Sequence, residues 1–269
     1  MPGPTEITSQ QLLRLIGTSQ APVLIDVRTD EDFDAVPRLI PGARRIRFDD
    51  HLAIQTTARD RPAVIVCHRG QKLSQGAAAL LRASGTSAET LAGGMLGWTE
   101  AQAPTVDATA LPGLTRGGTL WVTRHRPKID RIACPWLIRR FVDPTARVLF
   151  VAPSEVMAVA EKFDATPFDV ENVRFSHRDD LCTFDTMLSE FGLHSDPLDH
   201  IARVIRAADT DRHDLAPEAA GLLAISVGLS RLHRDDIAQM EAGLTLYDAL
   251  YRWARDGRDE THDWPGGGK

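Results

Sequence analysis

Apolar residues fall into two rhythms along the first hundred residues. Residues 22–27 and 64–66 are short apolar runs rich in Val and Ile, the pattern of buried strands. Residues 7–19 instead place Leu12, Leu13, Leu15 and Ile16 on one face, predicting a short helix capped by Thr8 or Ser9. The acidic stretch 28–36 reads as a solvated helix or loop. The basic cluster 44–47 reads as a surface strand with one buried residue, Ile46. An alanine-rich helix over 73–83 ends at Gly85, a natural C-cap, and 86–91 forms a last strand. Strands alternating with helices in this way predict a parallel sheet covered on both faces.

Residues 104–118 break the rhythm. Pro104, Pro112, Gly113, Gly117 and Gly118 leave little periodicity, so this stretch reads as a linker. A strand over 119–124 then runs into a basic loop and a helix, with Pro135 in its first turn or kinking it. A strand over 147–151 follows, then a helix capped by Ser154 that reaches about Phe163. Helices are predicted over 183–191, 197–208, 217–232 and 235–256. The polar, Gly-rich end, 257–269, reads as a flexible tail. The expected fold class is α/β: a parallel sheet over 1–103 covered by helices on both faces, then a mostly helical α+β domain over 119–256. A length of 269 residues agrees with two domains.

Composition narrows the class. With 43% hydrophobic and 25% charged residues the chain is ordinary for a globular protein. No long apolar run predicts a membrane span, and residues 1–10 show no signal peptide. Three widely spaced cysteines make no disulfide framework, which points to a reducing, cytoplasmic setting. Residues 1–118 hold 12 Lys/Arg and 12 Asp/Glu, whereas 119–269 hold 19 against 25, a net charge of −6. That balance argues against a nucleic-acid partner.

The sharpest chemistry sits at Cys67-His68-Arg69-Gly70-Gln71-Lys72-Leu73, between the strand at 64–66 and the alanine-rich helix. A loop closing onto a helix N-terminus turns several unpaired backbone N–H groups toward one point. With the helix dipole, Arg69 and Lys72 around it, a thiol there favours the nucleophilic thiolate, and the same cradle holds an oxyanion. The bland reading is a buried, inert thiol. A phosphatase or arsenate reductase loop needs an arginine six positions after the cysteine to clamp a tetrahedral anion, and that position is Leu73.

This loop resembles that of rhodanese-type sulfurtransferases. Leu24-Ile25-Asp26-Val27-Arg28, Ile40-Pro41-Gly42-Ala43 and Gly93-Gly94-Met95-Leu96-Gly97-Trp98 resemble the family's other signatures in order and spacing. The resemblance implies a persulfide on Cys67, charged by a thiosulfate-like small-molecule donor and discharged to a thiol or protein acceptor. It requires no cofactor. Asp26 and Arg28 are then expected to brace the loop, and the backbone of residues 68–73 to bind the anion. The chain departs from the family at Lys72, where arginine is usual, and at Leu73, where a small polar residue is usual.

The second half resembles the ChrB-type chromate-resistance domain through Trp121-Val122-Thr123-Arg124, the stretch 128–141, His177 with Cys182-Thr183-Phe184-Asp185, Ala208-Asp209-Thr210-Asp211-Arg212, and Gly221-Leu222-Leu223-Ala224. That family is linked to chromate resistance as an accessory enzyme or a regulator. His177, Asp185 and Asp209, with Asp211, have the residue types of an iron, manganese or zinc site, while each also has an ordinary role as a cap or loop residue. Glu241 and Asp248 share a helical face and are candidates for ligands or for pairing with arginines. Arg124, Arg126, Lys128 and Arg131 form a basic patch for an oxyanion such as chromate or sulfate, or a network paired to surplus carboxylates. Cys134 and Cys182 lie outside any Cys-x-x-Cys pair and read as buried thiols. The apolar face over 240–253 reads as core or as a homodimer surface.

Two further functional classes stand beside sulfur transfer: an oxyanion-responsive sensor of a chromate-resistance system, and a metal-dependent enzyme centred on His177.

Overall fold

The computed structural model describes residues 3–113 and 118–260. The first part runs β1 (Glu6–Ile7), α1 (Ser9–Leu15), β2 (Val23–Asp26), α2 (Asp30–Ala35), β3 (Arg38–Leu39), β4 (Ala43–Arg45), α3 (His51–Thr57), β5 (Ala63–Val66), α4 (Lys72–Ala83), β6 (Ala88–Leu91), α5 (Gly94–Glu100) and β7 (Val106–Asp107). The second runs β8 (Leu120–Arg124), α6 (Asp130–Leu137), β9 (Arg147–Val151), α7 (Val156–Phe163), β10 (Thr166–Pro167), α8 (Thr183–Glu190), α9 (Asp196–Asp209), α10 (Ala219–Leu232) and α11 (Asp236–Asp256).

Five strands form one parallel sheet in the order β1-β6-β5-β2-β4. Side chains alternate across a strand, so the run after Pro62 feeds both faces. Ile65 and Cys67 join Ile25, Ala77 and Leu81 beneath α3 and α4. Val64 and Val66 point the other way, into a core with Leu12 of α1 and Met95 and Trp98 of α5. The fold class is α/β with a parallel sheet covered on both faces. Thr8 caps α1 through a reciprocal pair with Gln11.

The second part builds a smaller parallel sheet, β10-β8-β9, with α7 on one face. Trp121 of β8 faces the opposite side against Phe168, Phe175 and Phe191. Helices α6, α8, α9 and α11 close around Trp136, which is fully buried, stacks on Phe184 and meets Phe141, Tyr247 and Tyr251. Met240, Leu244, Tyr247 and Tyr251 of α11 are all in this core, so the apolar face over 240–253 is core.

The two parts share one hydrophobic core, running from Leu12, Ile16 and Val64 to Trp136, Phe141 and Tyr251. Gly17, in the left-handed region at φ 75°, lets the end of α1 close on Phe141 and Tyr251. The expected linker is consequently not a loose spacer where it is described. Val106–Asp107 pairs antiparallel with Arg38–Leu39, and the Asp107 amide donates to Phe191 O at 2.8 Å. Arg38 joins the halves, donating to Thr105 O and Gly192 O. Residues 114–117 of that stretch, and 261–269 of the expected tail, lie outside the described residues.

One local expectation needs correction, and for Pro135 the second of its two expected places applies. Ser154 does not cap α7; it sits in a 3₁₀ turn over Pro153–Glu155 and its hydroxyl faces Glu155. Pro135 is the sixth residue of α6 rather than in its first turn, and the helix widens into a π turn at Ile138–Val142. Proline supplies no N–H for the helix ladder, which fits a change of winding there.

Candidate functional site

Cys67 follows β5 directly, and the loop 68–71 carries the chain into α4. Its thiol is almost wholly buried, at 5% exposure, and lies 3.1 Å from the hydroxyl of Ser74. Ser74 Oγ is also 3.1 Å from Gln71 O. Among the described residues, the backbone N–H groups of residues 68–74 have no acceptor in the protein. Gly70 turns the loop at φ 69° and packs against Leu91 O and Gly94 N, where a side chain has no room. From the far side, the Met95 amide donates to Cys67 O at 3.0 Å and the Leu96 amide to His68 O at 3.1 Å. The Gly93–Gly94 turn therefore holds the cysteine loop in place. Trp98 is fully buried beneath it and donates to Pro104 O at 2.8 Å.

Arg69, Gln71 and Lys72 are exposed around the loop and His68 is half-buried. Leu73 packs into the apolar cluster under α4, so only its backbone is open to an anion. Asp26 and Arg28, each 2% exposed, form a forked pair at 2.8 and 2.6 Å. The guanidinium then donates to Val36 O and Arg38 O. This corrects the expectation that they brace the cysteine loop. Arg28 fixes the turn between α2 and β3, because its side chain leaves the end of β2 in that direction.

The second half places a different constellation around His177. His177 Nε2 faces Asp209 Oδ2 at 3.1 Å, and Asp130 Oδ2 and Asp169 Oδ1 each at 3.5 Å. Asp130 begins α6, Asp209 ends α9, and Asp169 and His177 lie on the loops between β10 and α8. Hydrogen bonds to Asp169 and Asp209 raise the His177 pKa to about 10. Burial, reinforced by Asp209 and Asp169, pushes the Asp130 carboxyl well above the usual range. Asp130 is 1% exposed; its Oδ2 accepts from the Thr183 amide at 2.6 Å, while its Oδ1 is buried without a partner. The loop before it is held by α11, through Gln239 Nε2 to Pro127 O and Tyr247 Oη to Ile129 O. Ile129 itself sits at φ 38°, an outlier for a β-branched residue.

Other sequence candidates fall elsewhere. Asp185 does not join His177 and Asp209. Its Oδ1 pairs with Arg206 at 2.9 Å and its Oδ2 accepts from the Cys182 amide, because it is the third residue of α8 and closes a capping box. Asp211 is 91% exposed and faces His213. Glu241 and Asp248 pair with Arg139 and Arg140, and Asp248 also accepts from Trp136 Nε1. Arg124 and Arg131 both reach Asp169 Oδ2, and Arg126 donates to Ser230 O, so the basic patch is largely spoken for by the protein itself. Lys128 is exposed. Burial pushes the Cys134 and Cys182 thiols well up, with Asp130 adding to both. Asp130 and Asp169 were not among the expected site residues.

Residues 8–101 match the family model of the rhodanese-like domain, and residues 121–254 that of the ChrB C-terminal domain. Protein ChrB of Cupriavidus metallidurans is 38% identical over 136 residues, which is 50% of this chain and 40% of that relative. The chain thus matches less than half the length of that relative. Among solved structures, a rhodanese-like domain protein from Staphylococcus aureus is 29% identical, covering 35% of this chain and 90% of its own, with a TM-score of 0.31. A thiosulfate sulfurtransferase from Pseudomonas aeruginosa is 25% identical, covering 41% of this chain and 21% of its own, with a TM-score of 0.34. Among the described residues no helix is long and apolar enough to cross a membrane. The chain is thus similar to a rhodanese-like domain over residues 8–101 and to a ChrB C-terminal domain over residues 121–254.

Proposed function

We propose that the rhodanese-like domain is a working sulfurtransferase that carries sulfur as a persulfide on Cys67, in the service of a chromate-resistance system. The observation that carries this reading is the run of backbone N–H groups at 68–74 without protein acceptors, beside the Cys67 thiol. Such a run is an anion cradle, and both thiosulfate and a persulfide are anions.

The Cys67 thiolate attacks the outer sulfur of thiosulfate. The new S–S bond forms as the old one breaks, and sulfite leaves with the bonding pair. The terminal sulfur of the persulfide carries the negative charge toward the loop amides. An acceptor nucleophile, a small thiol or a protein thiol, then takes that sulfur and returns Cys67 as thiolate. The near-complete burial of Cys67 favours a small donor that enters the loop. Arg69 and Lys72, exposed at its rim, supply a positive approach for a dianion. Lysine offers a point charge without the planar fork of arginine, so the backbone carries most of the orientation.

The test is turnover of thiosulfate with cyanide as acceptor, read as thiocyanate. The wild-type chain forms thiocyanate and Cys67→Ala does not. Equal rates from the two proteins, or none from a folded wild type with any of several sulfane donors, would overturn the reading.

A further inference from the structure

We propose that Asp130, His177 and Asp209 form a binding site for a first-row divalent cation of the manganese–iron type, separate from the Cys67 loop and independent of sulfur transfer. The three residues come from distant points of the sequence, and each offers one ligand atom within 4.8 Å of the others. The distances from His177 Nε2 to the two carboxylates, 3.1 Å to Asp209 and 3.5 Å to Asp130, have a geometric meaning. Ligands about 2.1 Å from a shared ion, at octahedral or tetrahedral angles, lie roughly 3.0–3.4 Å apart. The side chains are thus spaced much as edges of a coordination shell.

The second observation is Asp130 Oδ1. A carboxylate 1% exposed, with Oδ2 facing His177 and Oδ1 lacking any partner, is costly, and a proton, or a cation in its place, would relieve that cost. The fourth acidic residue has a different task. Asp169 Oδ2 is held by Arg124 and Arg131, while its Oδ1 faces His177 and accepts from Thr183 Oγ1 at 3.1 Å. With Asp169 matched by arginines, Asp130 and Asp209 supply the two carboxylates for a dication, whose binding must displace the proton that His177 shares with them.

Two carboxylates and one imidazole, with no thiolate, match the donor preferences of Mn²⁺ and Fe²⁺. Asp130 forms the floor, whereas the His177 side chain is 41% exposed and that of Asp209 18%, so the mouth opens to solvent. Three protein ligands leave coordination positions for water or an oxygen-bearing substrate.

The test is titration of the chelator-stripped chain with MnCl₂, followed by calorimetry and by the Mn²⁺ EPR signal, with MgCl₂ and ZnCl₂ in competition. The proposal predicts one equivalent of Mn²⁺ bound in preference to Mg²⁺. His177→Gln and Asp209→Asn each weaken binding by about tenfold or more. Asp185→Asn, which alters a carboxylate paired with Arg206, leaves it within about twofold. Asp130→Asn is read only once circular dichroism shows it folded; the two rim variants decide the matter otherwise. No saturable binding by the wild type, or an affinity unchanged in both His177→Gln and Asp209→Asn, would overturn the proposal. Tighter binding of Mg²⁺ than Mn²⁺ would overturn the assignment of cation type.

Discussion

Gly94 lies directly against the carbonyl of Cys67. A methyl group on its α carbon would run into that oxygen and into the Gly70 amide, and would come within 2.8 Å of Arg69 C. All of these are backbone atoms, which cannot swing aside as a side chain can. Gly94 also sits at φ 59°, where an L side chain adds strain of its own. Gly94→Ala is therefore expected to destabilise the chain by about 1–3 kcal/mol and to slow sulfur loading of Cys67. Urea unfolding and a loading time course check both effects. Stability and loading both at wild-type levels would show that the turn does not hold the loop.

Ser74 offers a finer probe. Its hydroxyl lies 3.1 Å from Cys67 Sγ, and the serine is buried. The hydroxyl donates to Gln71 O; turned to a thiolate at Cys67, its hydrogen bond to the charged sulfur contributes about 1.5–3 kcal/mol. Ser74→Ala should consequently reduce the rate of sulfur loading roughly ten- to a hundredfold, with a stability cost near 1 kcal/mol. Rapid-quench mass analysis of the loading step separates the two. A rate within about twofold of wild type would assign Ser74 to the loop structure alone.

Arg28 should behave in the opposite way. Its donors go to Asp26, Val36 O and Arg38 O, all inside the fold. Arg28→Ala leaves a buried carboxylate without its partner, a loss of about 3–5 kcal/mol. Loading per folded molecule should stay close to wild type. Denaturant titration and loading at low temperature, where the variant is folded, test the pair of expectations.

The shared core predicts one cooperative transition for the chain, although its two halves match different family models. Gly17→Ala would push a methyl group to 2.5 Å from Phe141 and 2.6 Å from Tyr251 across the junction. It should lower that single transition by about 1–3 kcal/mol. Calorimetry decides the point: two resolved transitions in the wild type would contradict the shared core.

The alternation of apolar runs was enough to read the longer strands and helices, because each obeys a local period, but not the short helices α3 and α5 or the two-residue strands β1, β3, β7 and β10. Helices α8 to α11 begin and end within about three residues of the bounds expected from sequence. The Cys67 loop was legible for the same reason, since strand, loop and helix are contiguous. The cluster around His177 was only half legible. Asp209 has the right residue type, but Asp130 is hidden in the basic stretch Lys128-Ile129-Asp130-Arg131, and Asp169 stands in a loop without a motif. Their convergence depends on how α6, α9 and the loop at 169–177 pack, which no local pattern encodes. Asp185 drew attention as a carboxylate eight positions from His177, yet the start of α8 claims it as a cap. Likewise Arg28 is placed by the sequence two residues from Asp26, but not by which backbone it meets.

Intact mass after incubation with thiosulfate, wild type beside Cys67→Ala, addresses sulfur transfer most directly. A gain of about 32 Da, one sulfur atom, is predicted on wild type alone, removable by cyanide or a reducing thiol. Cys134 and Cys182, both fully buried, should stay unmodified in the folded chain. A folded wild type that gains no sulfur from thiosulfate, or a Cys67→Ala variant that gains it equally, would contradict the account.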